Sequence, residues 1–225
     1  MTRRILIVAA HPDDEILGMG GTIARHVAEG DHVAVTFLGD GVGSRGQGDD
    51  QAVARRQQAA RAAANVLGFE VLGFGSYPDN GFDIVPLLDL VRHVESIKHA
   101  FQPDWVYTHH GGDLNIDHRM TYQAVLTSFR PQPHERYEEI RCFEVNSSTE
   151  WADPRVFPPF LPDTYVDISA VLDQLLEAYG CYQDEIRPAP HARSMEALRV
   201  SSRNRGYQVG LEAAEAFMTA RRILR

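Results

Sequence analysis

Hydrophobic and polar positions along the chain alternate between two periods. Arg4–Ala10 is a near-continuous apolar run that ends abruptly at His11-Pro12-Asp13-Asp14-Glu15, as expected of a strand buried on both faces. Ile16, Ile23 and Val27 recur at helical spacing and predict a helix from about Ile16 to Glu29, stopped by Gly30-Asp31. His32–Leu38 reads as a second strand, Gln51–Leu67 as an alanine-rich helix ended by Gly68, and Glu70–Gly75 as a third strand before a loop at Ser76–Asp83. Leu87, Val91, Val94 and Phe101 mark one face of the next helix. Trp105–Thr108 then predicts a fourth strand, followed by a loop at His109–Asp117 and another helix. Repeated strand–helix units of this length predict an α/β fold: a Rossmann-like, open, mostly parallel sheet with helices on both faces.

The regularity fades after Phe129. Ile140–Val145 and Tyr165–Ile168 are candidate strands, and Pro158-Pro159 excludes a helix from the Pro154–Pro162 connection. Helices are expected around Ala170–Tyr182 and Ser194–Arg203, near the sheet edge. With no internal repeat or domain boundary, residues 1–225 read as a single domain. The formal charge of −9 argues against nucleic-acid binding through a broad basic face. The apolar run after Arg3-Arg4 is too short for a signal peptide, and nothing approaches the roughly 20 apolar residues of a membrane span. Cys142 and Cys181 are too few for a disulfide framework and read as reduced thiols. The expectation is a cytoplasmic protein, with homo-oligomerisation left open.

The candidate chemistry sits where predicted strands end. In open α/β sheets ligands bind at the carboxyl ends of strands, and His11-Pro12-Asp13-Asp14-Glu15 puts an imidazole and several carboxylates there. His11 and Asp14, three apart across a turn begun by Pro12, can point into one site, with Asp13 beside a metal without binding it. The candidate third ligand is His118 in Asn115-Ile116-Asp117-His118, beyond the fourth strand. Two histidines and one carboxylate leave a position open for water, the arrangement of catalytic zinc, although Fe²⁺, Co²⁺ or Mn²⁺ would also suit these donors. Gly18-Met19-Gly20-Gly21 is not the G-x-G-x-x-G of a dinucleotide site, and acidic residues stand where pyrophosphate would dock.

These motifs resemble those of the LmbE/PIG-L family of zinc-dependent deacetylases. The likeness extends to the glycine-rich stretch Gly39–Gly48 with Arg45, to Pro78-Asp79, to Pro190-His191-Ala192-Arg193-Ser194 and to Ala214-Glu215-Ala216-Phe217. It implies that His11, Asp14 and His118 hold Zn²⁺, that Asp13 is the general base, and that the substrate is a small acylated amine of the N-acetylated amino-sugar type. One departure matters: many members carry a histidine three residues before the last ligand, where this chain has Asn115. An amide can donate to an oxyanion but cannot deliver a proton at neutral pH, so protonation of the leaving amine is left to Asp13, His109 or His110. Asp117 is expected to orient His118 or an arginine. Arg45, Asp79 with Asn80, and His191 with Arg193 are candidate substrate contacts, and Tyr77 and Trp151 candidate faces for a sugar ring. The Gly39–Gly48 loop is expected to close over substrate. The alternatives are an amidase for another conjugate, a phosphoesterase and a non-catalytic sugar- or metal-binding module.

Overall fold

The computed structural model describes residues 2–43, 50–133 and 135–224. In chain order the elements are β1 (Arg4–Ala9), α1 (Asp14–Ala28), β2 (His32–Gly39), α2 (Asp50–Leu67), β3 (Glu70–Tyr77), α3 (Leu87–Phe101), β4 (Trp105–His109) and α4 (Ile116–Ser128). They continue with β5 (Glu139–Phe143), β6 (Thr164–Asp167), α5 (Leu172–Gly180), α6 (Met195–Tyr207) and β7 (Ala214–Arg222). All seven strands join one sheet of order β3-β2-β1-β4-β5-β7-β6. The first five run parallel, while β7 pairs antiparallel with both β5 and β6.

Side-chain alternation along β1 divides the core. Ile5, Ile7 and Ala9 face a cluster with Ile16 and Ile23 of α1, Ala60 and Ala63 of α2 and Leu175 of α5. Leu6, Val8 and Ala10 face Leu90 and Val94 of α3 and Val125 of α4. A strand buried on both faces must be apolar at consecutive positions, which is why Arg4–Ala10 was legible as one run. The glycines of α1 serve packing rather than phosphate binding. A Cβ at Gly18 would fall 2.3 Å from the Phe143 ring, and one at Gly21 2.8 Å from Ile168, so α1 sits closer to its neighbours than any side chain would allow.

Chain direction across the sheet reverses between β1 and β4: β2 and β3 extend one way, β4 and β5 the other. The crevice at such a switch point, beyond the carboxyl ends of the strands, is the natural ligand site of an open parallel sheet. His11 leaves β1 and His109 ends β4 at this place. The loop expected at Ser76–Asp83 is shorter, because β3 continues to Tyr77 and a single 3-10 turn forms at Phe82–Ile84. Strand β7 was not expected, and it fills the position between β5 and β6. Both cysteines are free. No helix among the described residues is long and apolar enough to cross a membrane.

Strand β7 also repairs a break in α1. Met19 leaves helical geometry (φ −159°, ψ 25°), and the amides of Gly21 and Thr22 donate instead to Glu215 Oε1 and Oε2, at 2.8 and 2.6 Å. Burial pushes the Glu215 carboxyl up to about 7 against the pull of these bonds. The folded state therefore holds the proton more tightly than the unfolded chain. The contribution of Glu215 to stability is complete below its ordinary value of 4.5 and is lost as pH rises through about 7. The stability of the protein relative to its Glu215→Gln variant should thus fall by about 2 kcal/mol between pH ~5 and ~8. Urea unfolding of both proteins at the two pH values measures it, and a difference that grows with pH contradicts it.

Candidate metal centre and active site

The metal-ligand geometry is built by two strand-to-helix turns. In the first, the His11 amide donates to Asp14 Oδ2 at 2.8 Å, closing the turn that Pro12 begins. In the second, Asn115 caps α4 by accepting the Asp117 amide at 2.8 Å, which places Asp117 and His118 in the first turn of that helix. Together the turns bring His11, Asp14 and His118, all buried, within reach of a single ion.

Each histidine is oriented by a carboxylate on its far side. His11 Nε2 lies 2.8 Å from Asp117 Oδ2, and Asp117 is itself fixed by the amides of Asn80 at 2.7 Å and Phe82 at 2.9 Å. His118 Nδ1 lies 3.2 Å from Asp113 Oδ2, and Asp113 accepts the hydroxyls of Ser148 and Thr149. With those nitrogens protonated, the lone pairs of His11 Nδ1 and His118 Nε2 are left toward Asp14. Such outer carboxylates are the usual means by which a protein fixes the tautomer and raises the basicity of a metal-binding histidine. Asp117 therefore stands behind His11, rather than behind His118 or an arginine as the sequence suggested.

The donor set fits a cation. Asp14 Oδ1 and His118 Nε2 are buried without a hydrogen-bond partner and lie 3.3 Å apart. Orphaned buried groups of this kind are costly unless something fills the gap between them. Charge points the same way. Burial alone would lower both histidines, but hydrogen bonds and charge from Asp117 and Asp14 raise His11 to about 9, and Asp14 and Asp113 raise His118 to about 10. The cluster thus attracts positive charge strongly, and a metal ion competes for the same lone pairs as protons.

Asp13 stands apart from this set in both partners and backbone. Its φ of 122° with ψ of −26° is a positive-φ conformation that costs a non-glycine residue on the order of 1–3 kcal/mol. This twist lets two successive carboxylates take separate partners. Arg56 Nη1 and Arg193 Nη1 donate to Asp13 Oδ2 at 3.2 and 3.1 Å. Both arginines also meet Glu185, at 3.0 and 3.1 Å. Burial raises the Asp13 carboxyl while the two guanidiniums oppose that rise. The Asp13 amide donates to Glu15 Oε2 at 3.0 Å, and Tyr182 donates its hydroxyl to Glu15 Oε1. Burial pushes Glu15 up to about 8 against those two bonds.

The remaining sequence candidates are placed unevenly. Asp79 reaches the centre, with Oδ1 at 3.4 Å from His11 Nε2. Gly41, at φ 69°, passes so close to His11 that a Cβ there would fall 2.9 Å from the His11 Cβ. Arg45 and the rest of Ser44–Asp49 lie outside the described residues. His109 accepts the Ala10 amide on Nε2 at 2.8 Å, and burial with the neighbouring His118 holds it neutral, well below its ordinary pKa. His110 is 2.8 Å from the Pro158 carbonyl and packs on Phe160, outside the metal cluster. His191 is exposed and stands edge-on to Trp151, 6.0 Å away, while Arg193 from the same segment turns inward to Asp13. Tyr77 bonds the Asp89 carbonyl and packs on Phe82 and His93. Asp113, Arg56 and Glu185 were not singled out from the sequence, and the burial of Arg56 in α2 is visible only in the structure.

Comparison with known proteins identifies the family. The family model for PIG-L, GlcNAc-PI de-N-acetylase, matches residues 6–129, the span holding all three candidate ligands. An uncharacterized deacetylase, YaiS, of Escherichia coli is 30% identical over 68% of this chain and 80% of its own. A 1D-myo-inositol 2-acetamido-2-deoxy-alpha-D-glucopyranoside deacetylase of Rhodococcus jostii is 45% identical over 84% of this chain and 83% of its own. Among solved structures, the conserved protein TT1542 of Thermus thermophilus superposes with a TM-score of 0.79 at 26% identity, covering 100% of this chain and 97% of its own. The chain belongs to the PIG-L family of de-N-acetylases, enzymes that hydrolyse amide bonds.

Proposed function

We propose that this chain is a metal-dependent N-deacetylase that removes the acetyl group of a small N-acetylated amino sugar. The observation that carries the reading is the facing pair of unpartnered buried atoms, Asp14 Oδ1 and His118 Nε2, with His11 beside them and a strained carboxylate next in the chain. His11, Asp14 and His118 would hold the ion, and zinc is the first choice for two imidazoles and a carboxylate. Such an ion, when bound, polarises an amide carbonyl and acidifies water.

The chain's own residues do the rest. Asp13 takes the proton of the attacking water. Arg56 and Arg193 both engage its Oδ2, so the lone pairs of Oδ1 are not committed to these arginines. Asp13 also returns that proton to the leaving amine. Of the other groups considered, His109 is neutral with Nε2 already accepting a backbone amide, and His110 is tied to the Pro158 carbonyl. Asn115 uses Oδ1 for its helix cap, so its amide NH₂ is the end available to an oxyanion. Asp79, beside His11, takes the role of a sugar-hydroxyl acceptor, with His191 as an outer contact and Arg45, named from the sequence, as a further one. The inositol glucosaminide substrate named for the Rhodococcus relative favours an acetamido sugar.

The test is acetate release from a panel of N-acetylated sugars, using protein loaded with zinc and protein stripped by chelator. Release that needs the metal and is restored by it is the expected result. Tight binding of acetylated sugars with no acetate from any of them would replace the enzyme by a sugar-binding module.

A further inference from the structure

The strained backbone of Asp13 is held at its carbonyl by the Ile16 and Leu17 amides of its own turn, at 3.1 and 2.9 Å, and at its amide by a contact anchored from outside that turn. Its amide has one partner, the Glu15 carboxylate two residues on, and that carboxylate is gripped at its other oxygen by Tyr182, a side chain 167 positions away. Tyr182 is 1% exposed and lies just after α5. Three residues later in the same turn, Glu185 holds the two arginines that bind the Asp13 carboxylate. The Glu185 amide in turn donates to the Tyr182 carbonyl at 2.9 Å. One short segment therefore restrains Asp13 twice, at the backbone through Glu15 and at the carboxylate through Arg56 and Arg193.

We propose that Glu15 and Tyr182 are a positioning pair that locks Asp13 in its positive-φ conformation and so aims its carboxylate at the reacting water. This rests on Asp13 being the general base. Neither Glu15 nor Tyr182 belongs to the metal set, and the bonds that Glu15 makes here go to the Asp13 amide and the Tyr182 hydroxyl. The chemistry at position 15 is that of a two-ended acceptor. An amide side chain keeps the acceptor for the Asp13 N–H and offers an NH₂ to the Tyr182 oxygen, because a phenol both donates and accepts. Glutamine therefore preserves the lock, whereas alanine removes it. Tyr182→Phe removes only its outer anchor.

The experiment compares Glu15→Ala, Glu15→Gln, Tyr182→Phe and Asp13→Asn in the metal-loaded full chain. It reads kcat and KM separately, metal content, and amide hydrogen exchange at position 13. A misplaced catalytic group can cost about 10²-fold. Accordingly, kcat should fall ~10²-fold in Glu15→Ala and ~10-fold in Tyr182→Phe, with KM and metal content near wild type. Exchange at the Asp13 amide should accelerate in both, and Glu15→Gln should retain most of the turnover and protection that Glu15→Ala loses. If Glu15→Ala loads metal and neither its kcat nor its position-13 exchange departs from wild type by twofold, the pair is not a lock. Should Glu15→Ala not fold, unchanged kcat and exchange in Tyr182→Phe overturn the proposal equally. Failure of the underlying reading looks different: Asp13→Asn keeps full activity, and the exchange data alone then decide whether the lock exists.

Discussion

Asp13→Asn is expected to bind metal as the wild type does and to lose ~10²–10⁴ in turnover, the usual share of a positioned acid–base group. The first half of this expectation follows from geometry. His11, Asp14 and His118 form the cluster without Asp13, whose carboxylate is taken up by Arg56 and Arg193. The second half follows from chemistry, since an amide cannot accept the proton of water. The substitution nearly preserves shape but leaves the buried guanidinium of Arg56 and the half-buried one of Arg193 with Glu185 as their remaining carboxylate partner at this place. Some loss of stability should therefore accompany the loss of rate, and thermal melts must be run alongside. Metal content and acetate release on the same preparation decide the matter. Wild-type turnover in Asp13→Asn would transfer the base to another group.

The parts of this picture that were legible in the sequence are those fixed locally. A parallel strand buried on both faces must be apolar throughout, so β1 announced itself, and His11-Pro12-Asp13-Asp14-Glu15 marked its carboxyl end without ambiguity. Strand β7 was hidden because Ala214–Arg222 holds three alanines and two arginines besides Glu215 and Met218, residues at home in helices. It is a strand because β5 and β6 flank it on both sides. The histidine partners show the same divide. Asp117 precedes His118 and was read as orienting it or an arginine, yet successive residues of a helix point about 100° apart. It therefore serves His11, across the crevice. The true partner of His118 is Asp113, an unremarked loop carboxylate whose hydroxyl donors, Ser148 and Thr149, lie 35 and 36 positions further along the chain. Arg56, Tyr182 and Glu185 come from α2 and the turn after α5. Nothing in their local sequence says that they converge on Asp13.

Removing His118 tests the metal centre most directly, and grading the loss tests how it is built. His118→Ala deletes one of the three proposed ligands and leaves Asp14 Oδ1 facing an empty space, so the variant should lose its metal on dialysis and its activity with it. Asp113→Asn and Asp117→Asn leave all three ligands in place and change only what stands behind the histidines. Outer partners of this sort typically account for 10–100-fold in metal affinity. The two aspartates should not be equivalent. Asp117 accepts two backbone amides besides His11, so Asp117→Asn also disturbs the turn that presents Asp79. Asp113 is held by two side-chain hydroxyls that can reorient around an amide. The expected order of metal affinity is wild type, then Asp113→Asn, then Asp117→Asn, with His118→Ala last. Competition with a chromogenic chelator measures all four on one scale. If His118→Ala retains metal as the wild type does, the ion sits elsewhere. If both aspartate variants match wild type, the carboxylates behind the histidines orient nothing.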